Sequence, residues 1–122
     1  MQLRVARHTT NLAPLIEFYT QNLGLKILGS FEGHDGYDGV FLGLENMPWH
    51  LEFTTSALPP QHQPDEDDLL VFYASDKAAF EQLKANFERN GIAPIEPQNP
   101  YWKKQSLTYS DPDGYRLVIS LR

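Results

Sequence analysis

The chain has 122 residues, 41% of them hydrophobic, which predicts one domain with a substantial core. Sixteen acidic and ten basic residues give a formal net charge of -6, so a nucleic-acid partner, which needs a basic surface, is not expected. Cysteine is absent, which excludes disulfides and thiolate metal sites and favours a cytoplasmic location. No apolar run reaches the ~20 residues that cross a bilayer. The N-terminal MQLRVARHTT also lacks the apolar stretch of a signal peptide, so no membrane partner is expected.

The first half of the chain predicts a strand, a helix and three further strands. Residues 3–8 alternate apolar and basic side chains, as in a strand with one face in water. A helix over about 12–22 follows, capped by Thr10 or Asn11 and closed by Gly24. Its apolar face contains Leu12, Leu15, Ile16, Tyr19 and Leu23. The next strands are predicted at about 25–32, 38–44 and 49–55, the first two being joined by the turn-forming string GHDGYDG.

The second half repeats this order after a linker at about 56–66 that is rich in proline and polar residues. A helix is predicted over about 77–90, capped by Ser75 or Asp76 and ended by Gly91. Extended segments are predicted at 68–74, near 92–96, near 104–110 and near 114–121.

Helix and strands therefore recur at a separation of about 65 residues, which indicates two modules, at about 1–55 and 67–122. Neither module can bury its apolar face alone, so we expect them to share one curved, mixed α+β sheet within a single domain spanning residues 1–122. A ferredoxin-like α+β domain is the alternative that this order leaves open.

Three strings carry a more specific resemblance. NLAPLIEFYTQNLGLKIL is similar to the first helix and second strand of the vicinal-oxygen-chelate superfamily, the group of glyoxalase I, bleomycin-resistance proteins and extradiol dioxygenases. HLEF resembles its fourth strand, and DPDGYRLVI resembles its last hairpin. The resemblance covers most of the chain. It implies two βαβββ modules and a sheet curled into a cup, where a divalent metal chelates vicinal substrate oxygens as a Lewis acid.

The resemblance also implies where metal ligands would lie. Those positions hold Arg4, Glu52, Val118, and Leu70 or, if the register shifts by one residue, Leu69. Of these side chains only the Glu52 carboxylate can bind a metal, and one carboxylate does not provide the three or four ligands that a transition metal needs. We therefore expect no metal and no other cofactor, and an ion pair between Arg4 and Glu52 in its place.

An alternative metal site remains open on the same strands. The two-residue period of a strand places Arg4 and His8 on one face, and His50 and Glu52 on another. If both faces line the cup, His8, His50 and Glu52 approximate a two-histidine, one-carboxylate set. Otherwise His50 orients Glu52, acts in proton transfer, or is simply a hydrogen-bonded strand residue.

Other candidate residues lie in loops and at strand ends. Tyr37, in the GHDGYDG turn together with Asp38, is a candidate for a lid. Tyr101 and Trp102 are adjacent aromatics, which either wall a pocket or dimer groove or cover the end of a sheet. Arg116 shares the parity of Val118 but is expected to be a solvated edge residue.

These features predict a small-molecule-binding protein or a cofactor-independent enzyme. The predicted binding residues are Arg4, His8, His50, Glu52, Tyr37, Tyr101 and Trp102. The acidic charge permits a cationic ligand, whereas an unpaired Arg4 would hold a carboxylate. The resemblance further implies a homodimer. The alternatives are a metal-dependent glyoxalase-type lyase or dioxygenase that uses His8, His50 and Glu52, and a domain that only contacts other proteins.

Overall fold

A computed structural model describes residues 1–121, which form two compact units, Met1–Gln61 and a second unit that begins at His62. Each unit contains one long helix and one small mixed sheet, so the predicted α+β class is confirmed. Within the described part of the chain the strands form two mixed sheets, of four and three strands, where one shared sheet was expected. Among the described residues four strands separate the two long helices, whereas the ferredoxin-like order would place two there.

The first unit has the predicted βαβββ order. Its elements are β1 (Leu3–His8), α1 (Leu12–Leu23), β2 (Lys26–His34), β3 (Tyr37–Gly43) and β4 (Trp49–Thr55). The sheet order is β1-β4-β3-β2, and β1 runs parallel to β4 while the other pairs are antiparallel. Asn11 caps α1 by accepting a hydrogen bond from the backbone N–H of Ala13 at 3.2 Å, and Gly24 ends it with a φ of 71°.

The connection between β2 and β3 is shorter than predicted. Asp35 and Gly36 have φ values of 51° and 85°, which form the two-residue hairpin turn that matches the twist of a strand pair. His34 and Tyr37 therefore pair directly with each other. Tyr37 begins β3, and the carboxylate of Asp38 accepts a hydrogen bond from the backbone N–H of Gly33 at 2.9 Å, so both residues belong to this hairpin. The role of Tyr37 as a lid stays a prediction.

The core of the first unit lies between α1 and one face of its sheet. The Tyr19 ring packs on Phe53 with ring centroids 5.3 Å apart, and the Tyr19 hydroxyl accepts a hydrogen bond from Arg7 at 3.1 Å. The buried apolar residues are Leu15, Phe18, Tyr19, Leu23, Leu25, Val40, Leu42, Leu51 and Phe53. Each large side chain of this kind contributes about 1.5–3 kcal/mol to stability through burial.

The second unit repeats the pattern with a shorter sheet. Its elements are β5 (Leu69–Tyr73), α2 (Lys77–Arg89), a 3-10 helix (Pro100–Lys103), β6 (Ser106–Ser110) and β7 (Arg116–Ser120). The sheet order is β5-β7-β6, with β5 parallel to β7. The segment expected near 92–96 contributes one isolated bridge, from Ile95 to Thr108.

Phe87 on α2 and Tyr109 on β6 form the centre of the second core, with their rings stacked at 3.7 Å. Burial of the phenol, helped by the negative charge of Glu88, raises the pKa of Tyr109 to about 12. Asp76 caps α2 by accepting from the backbone N–H of Ala79 at 2.8 Å. Across residues 1–121 no helix has both the length and the apolar character that a membrane span requires.

Candidate ligand-binding face

The polar candidates of the first unit lie on the side of its sheet away from α1, here called the distal face. Arg7 and Phe53 face α1, so residues that alternate with them point the other way. The strand register then forms rows across β1 and β4: Arg4 lies opposite His50, Ala6 opposite Glu52, and His8 opposite Thr54. The distal face contains Arg4, Ala6, His8, Phe31, Phe41, His50, Glu52 and Thr54.

Arg4 connects His50 and Glu52 at one end of the distal face. Its Nε donates a hydrogen bond to Nε2 of His50 at 2.9 Å. Because arginine carries no acceptor and stays protonated, Nε2 of His50 is the acceptor and the imidazole proton lies on Nδ1. Nη1 of Arg4 lies 3.8 Å from Oε1 of Glu52, which places the predicted ion pair in the structure. The side chains are unequally exposed, at 52% for Arg4 and 13% for Glu52.

Aromatic rings lie beside these charges. The guanidinium of Arg4 is 4.8 Å from the centroid of the Phe41 ring, a cation–π distance. Phe41 also meets His50 edge to face at 5.6 Å and lies 5.8 Å from Phe31. A β-carbon at Gly39 would come within 2.3 Å of the Phe31 ring, so the absence of a side chain there allows this ring to lie on the sheet.

His8 lies at the far end of the distal face and has different partners. Its Nδ1 is 2.7 Å from the Thr54 hydroxyl, and its Nε2 is 3.0 Å from both the Ser56 hydroxyl and the carbonyl oxygen of Leu58. The carbonyl only accepts, so Nε2 carries the proton and Nδ1 accepts from Thr54. The Tyr37 ring packs edge-on to His8 at 5.7 Å. His8 thus ties the chain after β4 to the end of β1.

The corresponding strands of the second unit carry aliphatic side chains. Leu69 lies opposite Arg116, and Val71 lies opposite Val118, on the face away from α2. Leu70 pairs instead with Leu117, on the side of Tyr109 and the helix, so of the two predicted registers the one with Leu69 is observed.

Arg116 is not the solvated edge residue that the sequence predicted. Its side chain is 15% exposed, and Nη2 lies 3.5 Å from a carboxylate oxygen of Glu66. Nη1 donates to the carbonyl oxygen of Glu96 at 3.2 Å. The positive charge of Arg116 is therefore balanced within its own unit.

Tyr101 and Trp102 lie on the 3-10 helix of the second unit. Their rings meet edge to face with centroids 4.8 Å apart, and the Asn99 side chain caps the helix by accepting from the N–H of Tyr101 at 3.0 Å. Tyr101 is 54% exposed, whereas Trp102 is partly buried. Their role in binding stays a prediction.

Comparison with protein families identifies the relatives of this chain. Residues 3–54 match the model of the YycE-like N-terminal domain, and residues 67–120 match that of the YycE-like C-terminal domain. The chain belongs to the YycE-like family. The uncharacterized protein YycE of Bacillus subtilis (strain 168) is 40% identical over 122 residues, which cover 97% of this chain and 86% of that protein.

Solved structures give the same relationship. The crystal structure of a YycE protein of unknown function from Bacillus subtilis matches with a TM-score of 0.88 and 38% identity, over 99% of this chain and 89% of the other. The trypanothione-dependent glyoxalase I of Leishmania major matches with a TM-score of 0.75 and 22% identity, over 99% and 86% of the chains. TnmS3, an antibiotic-binding protein from Streptomyces sp. CB03234, matches with a TM-score of 0.71 and 18% identity, over 99% of this chain and 94% of the other. This YycE-like protein therefore has the glyoxalase and bleomycin-resistance fold, and the resemblance seen in the sequence is confirmed.

The residues of this YycE-like protein do not fit the divalent metal that the superfamily implies. Arg4 brings a positive charge to one ligand position, and Leu69 and Val118 have no lone pairs to offer. Nε2 of His50 accepts from Arg4, and both ring nitrogens of His8 face Thr54, Ser56 and Leu58. Within residues 1–121 no three His, Asp or Glu side chains come together in a group that could hold a metal ion. The structure thus does not support the alternative set of His8, His50 and Glu52.

Two residues of the distal face were missed by the sequence reasoning. Phe31 and Phe41 fell inside predicted strands, but their orientation depends on the antiparallel register of β2, β3 and β4. Ala6 is small and exposed and lies opposite Glu52. The period-two argument predicts Ala6 on the face of Arg4 and His8, and the structure adds that Glu52 is its neighbour on β4.

Proposed function

We propose that this YycE-like protein binds a small organic molecule on the distal face and does so without a metal. The observation that carries the proposal is the position of Glu52. Its side chain is mostly withdrawn from water and lies beside Phe41, and its carboxylate has an arginine at ion-pair rather than hydrogen-bond distance. Such a mixture of apolar surface and a few oriented polar groups is typical of ligand sites.

The similarity to a solved structure supports a small organic molecule as the kind of ligand. TnmS3 is described as an antibiotic-binding protein, and it shares the fold of this chain. A polar cluster beside aromatic rings suits the same general task, because the rings supply contact area and the polar groups supply orientation.

A thermal-shift screen of metabolites and antibiotics tests the proposal. A compound present at 100 times its dissociation constant stabilises the fold by about 2.7 kcal/mol. For a chain of this length that corresponds to roughly 10 °C in Tm. We expect compounds that raise Tm of the native protein to lose most of this effect in Glu52→Gln.

The matched control is Glu81→Gln, which removes the same charge from an exposed position of α2. Compounds that act on the distal face should stabilise this variant as they stabilise the native protein. Equal shifts in Glu52→Gln and Glu81→Gln for every active compound would place binding elsewhere. Stoichiometric Zn, Ni or Fe in elemental analysis of protein purified without a histidine tag would contradict the metal-free part of the proposal.

A further inference from the structure

We infer that the distal face selects a flat molecule that presents N–H or O–H donors to Glu52, and that this molecule is neutral or cationic rather than anionic. The inference rests on the proposed function and specifies its ligand class. Three features of the distal face support the inference. Glu52 has hydrogen-bond acceptors that the protein does not use, Arg4 already has partners, and Ala6 has no large side chain.

The carboxylate of Glu52 has acceptor capacity that the protein does not use. An ionised carboxylate accepts about four hydrogen bonds. Among residues 1–121, the polar partner that the structure gives Glu52 is Nη1 of Arg4 at 3.8 Å, which is beyond hydrogen-bond length. The Glu52 side chain is only 13% exposed, so few water molecules can reach it to supply the missing donors. A ligand that brings N–H or O–H groups to this carboxylate would satisfy it.

The surroundings of Arg4 disfavour an anion. The Nε of Arg4 is used by His50, and its guanidinium lies over the Phe41 ring. Its charge is already opposed by Glu52 at 3.8 Å, so an anion that reached Arg4 would also face the carboxylate at close range. The net charge of -6 adds a long-range repulsion of anions.

Ala6 leaves an open area on the distal face beside Glu52. This residue is exposed and lies directly opposite Glu52, so the sheet beside the carboxylate has no large side chain above it. Arg4 and His8 flank it on the same strand, with Cα atoms about 13 Å apart from a rise of ~3.3 Å per residue. An aromatic ring placed over Ala6 would present its edge to Glu52, and Phe41 would lie on the other side of that carboxylate, on the next strand.

Three probes that share one ring separate the ligand classes. Benzamidine is a cationic donor, benzamide is neutral and carries donors, and benzoate is an anion without donors. Each is titrated to 20 mM into ¹⁵N-labelled protein while backbone amide shifts are followed by NMR. We expect benzamidine and benzamide to shift the amides of Ala6, Phe41 and Glu52 with millimolar affinity, which is ordinary for so few atoms. Benzoate should bind at least tenfold more weakly.

Variants assign the preference to named groups. Glu52→Gln keeps the shape of the side chain and should weaken the binding of benzamidine at least tenfold. The difference in affinity between benzamidine and benzoate should then become smaller. Ala6→Leu fills the gap and should abolish the shifts from all three probes. Glu81→Gln changes the net charge by the same amount as Glu52→Gln and should leave the affinities unchanged. The ¹⁵N spectrum of each variant shows directly whether it is folded.

The outcomes separate this inference from the proposed function. Tighter binding of benzoate, lost in Arg4→Gln, would overturn the donor preference while leaving the distal face as the binding site. Equal affinity of benzamidine for Glu52→Gln and the native protein would overturn it as well. If none of the probes shifts amides of the distal face, the inferred ligand class is wrong, and the compound screen decides separately whether the face binds another molecule.

Discussion

The ion pair between Arg4 and Glu52 can be tested by a double-mutant cycle with Arg4→Gln, Glu52→Gln and the double variant. Two unit charges 3.8 Å apart interact by about 4 kcal/mol at an effective dielectric constant of 20. Arg4 is 52% exposed, however, and exposed pairs measure only about 0.2–1 kcal/mol because water screens them and ordering costs entropy. Glu52 is mostly buried, so we expect a coupling energy near the top of that range, about 1 kcal/mol.

The two single variants should differ in stability, because each leaves a different charged group without its partner. Arg4→Gln leaves a mostly buried carboxylate without its cation and also removes the contacts to His50 and Phe41. A lost hydrogen bond and a lost cation–π contact cost about 1 kcal/mol each, so the total loss is about 2–3 kcal/mol. Glu52→Gln leaves a half-exposed guanidinium that water can solvate, and should cost about 1 kcal/mol or less.

Urea denaturation followed by circular dichroism gives the free energy of unfolding of each variant. In the Arg4→Gln background, Glu52→Gln should be neutral or stabilising, because it removes a carboxylate that has lost its partner. A coupling energy below about 0.3 kcal/mol, the usual scatter of independent sites, would refute the idea that Arg4 supplies the charge balance of Glu52. A larger loss from Glu52→Gln than from Arg4→Gln would refute the assignment of the carboxylate as the costly partner.

Three further substitutions test the packing and titration of particular residues. Gly39→Ala places a β-carbon 2.3 Å from the Phe31 ring and should cost about 1–3 kcal/mol in urea denaturation, a cost that the double variant with Phe31→Ala should not show. Tyr109 has a folded-state pKa of about 12 against an ordinary value of 10.0, so the folded protein holds the phenolic proton longer and the native protein loses stability as pH rises from 10 to 12. That loss is on the order of 2–3 kcal/mol and should be missing from Tyr109→Phe; identical pH profiles of the two proteins would contradict it. Asp76→Ala removes the cap bonded to Ala79 and should cost about 1 kcal/mol by the same urea assay, whereas no change in midpoint would show that the cap is dispensable.

The sequence predicted the strands of the first unit best where apolar and polar side chains alternate. The predictions at 3–8 and 49–55 coincide with β1 and β4. In β4 apolar Trp49, Leu51 and Phe53 alternate with polar residues, whereas in β1 the alternation holds only up to Val5. The β2–β3 turn was predicted less well. GHDGYDG contains two Asp-Gly pairs, and only the backbone angles show that the first of them, Asp35-Gly36, forms the tight turn.

The candidate site could be predicted in part for the same reason. Period two places Arg4 with His8, and His50 with Glu52, but it does not say that the two pairs share one face, which follows from the parallel register of β1 and β4. The sequence also does not show which atoms meet. The alternative metal site joined His8 to His50 and Glu52, whereas Nε2 of His8 faces Ser56 and Leu58 in the chain after β4.

The two units use charge differently on matching strands, and this difference bears on where ligand chemistry can occur. In the second unit the charge of Arg116 is met by Glu66 and by the carbonyl oxygen of Glu96, while Val118 beside it is fully buried. No charge on that strand pair is left for a ligand. In the first unit the arginine at the ligand position neutralises Glu52 without hydrogen-bonding to it. A divalent cation would have to give up its hydration for one carboxylate while facing a guanidinium, whereas an organic donor needs only the acceptors that Glu52 has free. Under the proposed function, the arginine that makes this position unsuited to a metal is therefore the same residue that leaves the Glu52 carboxylate available to an organic donor.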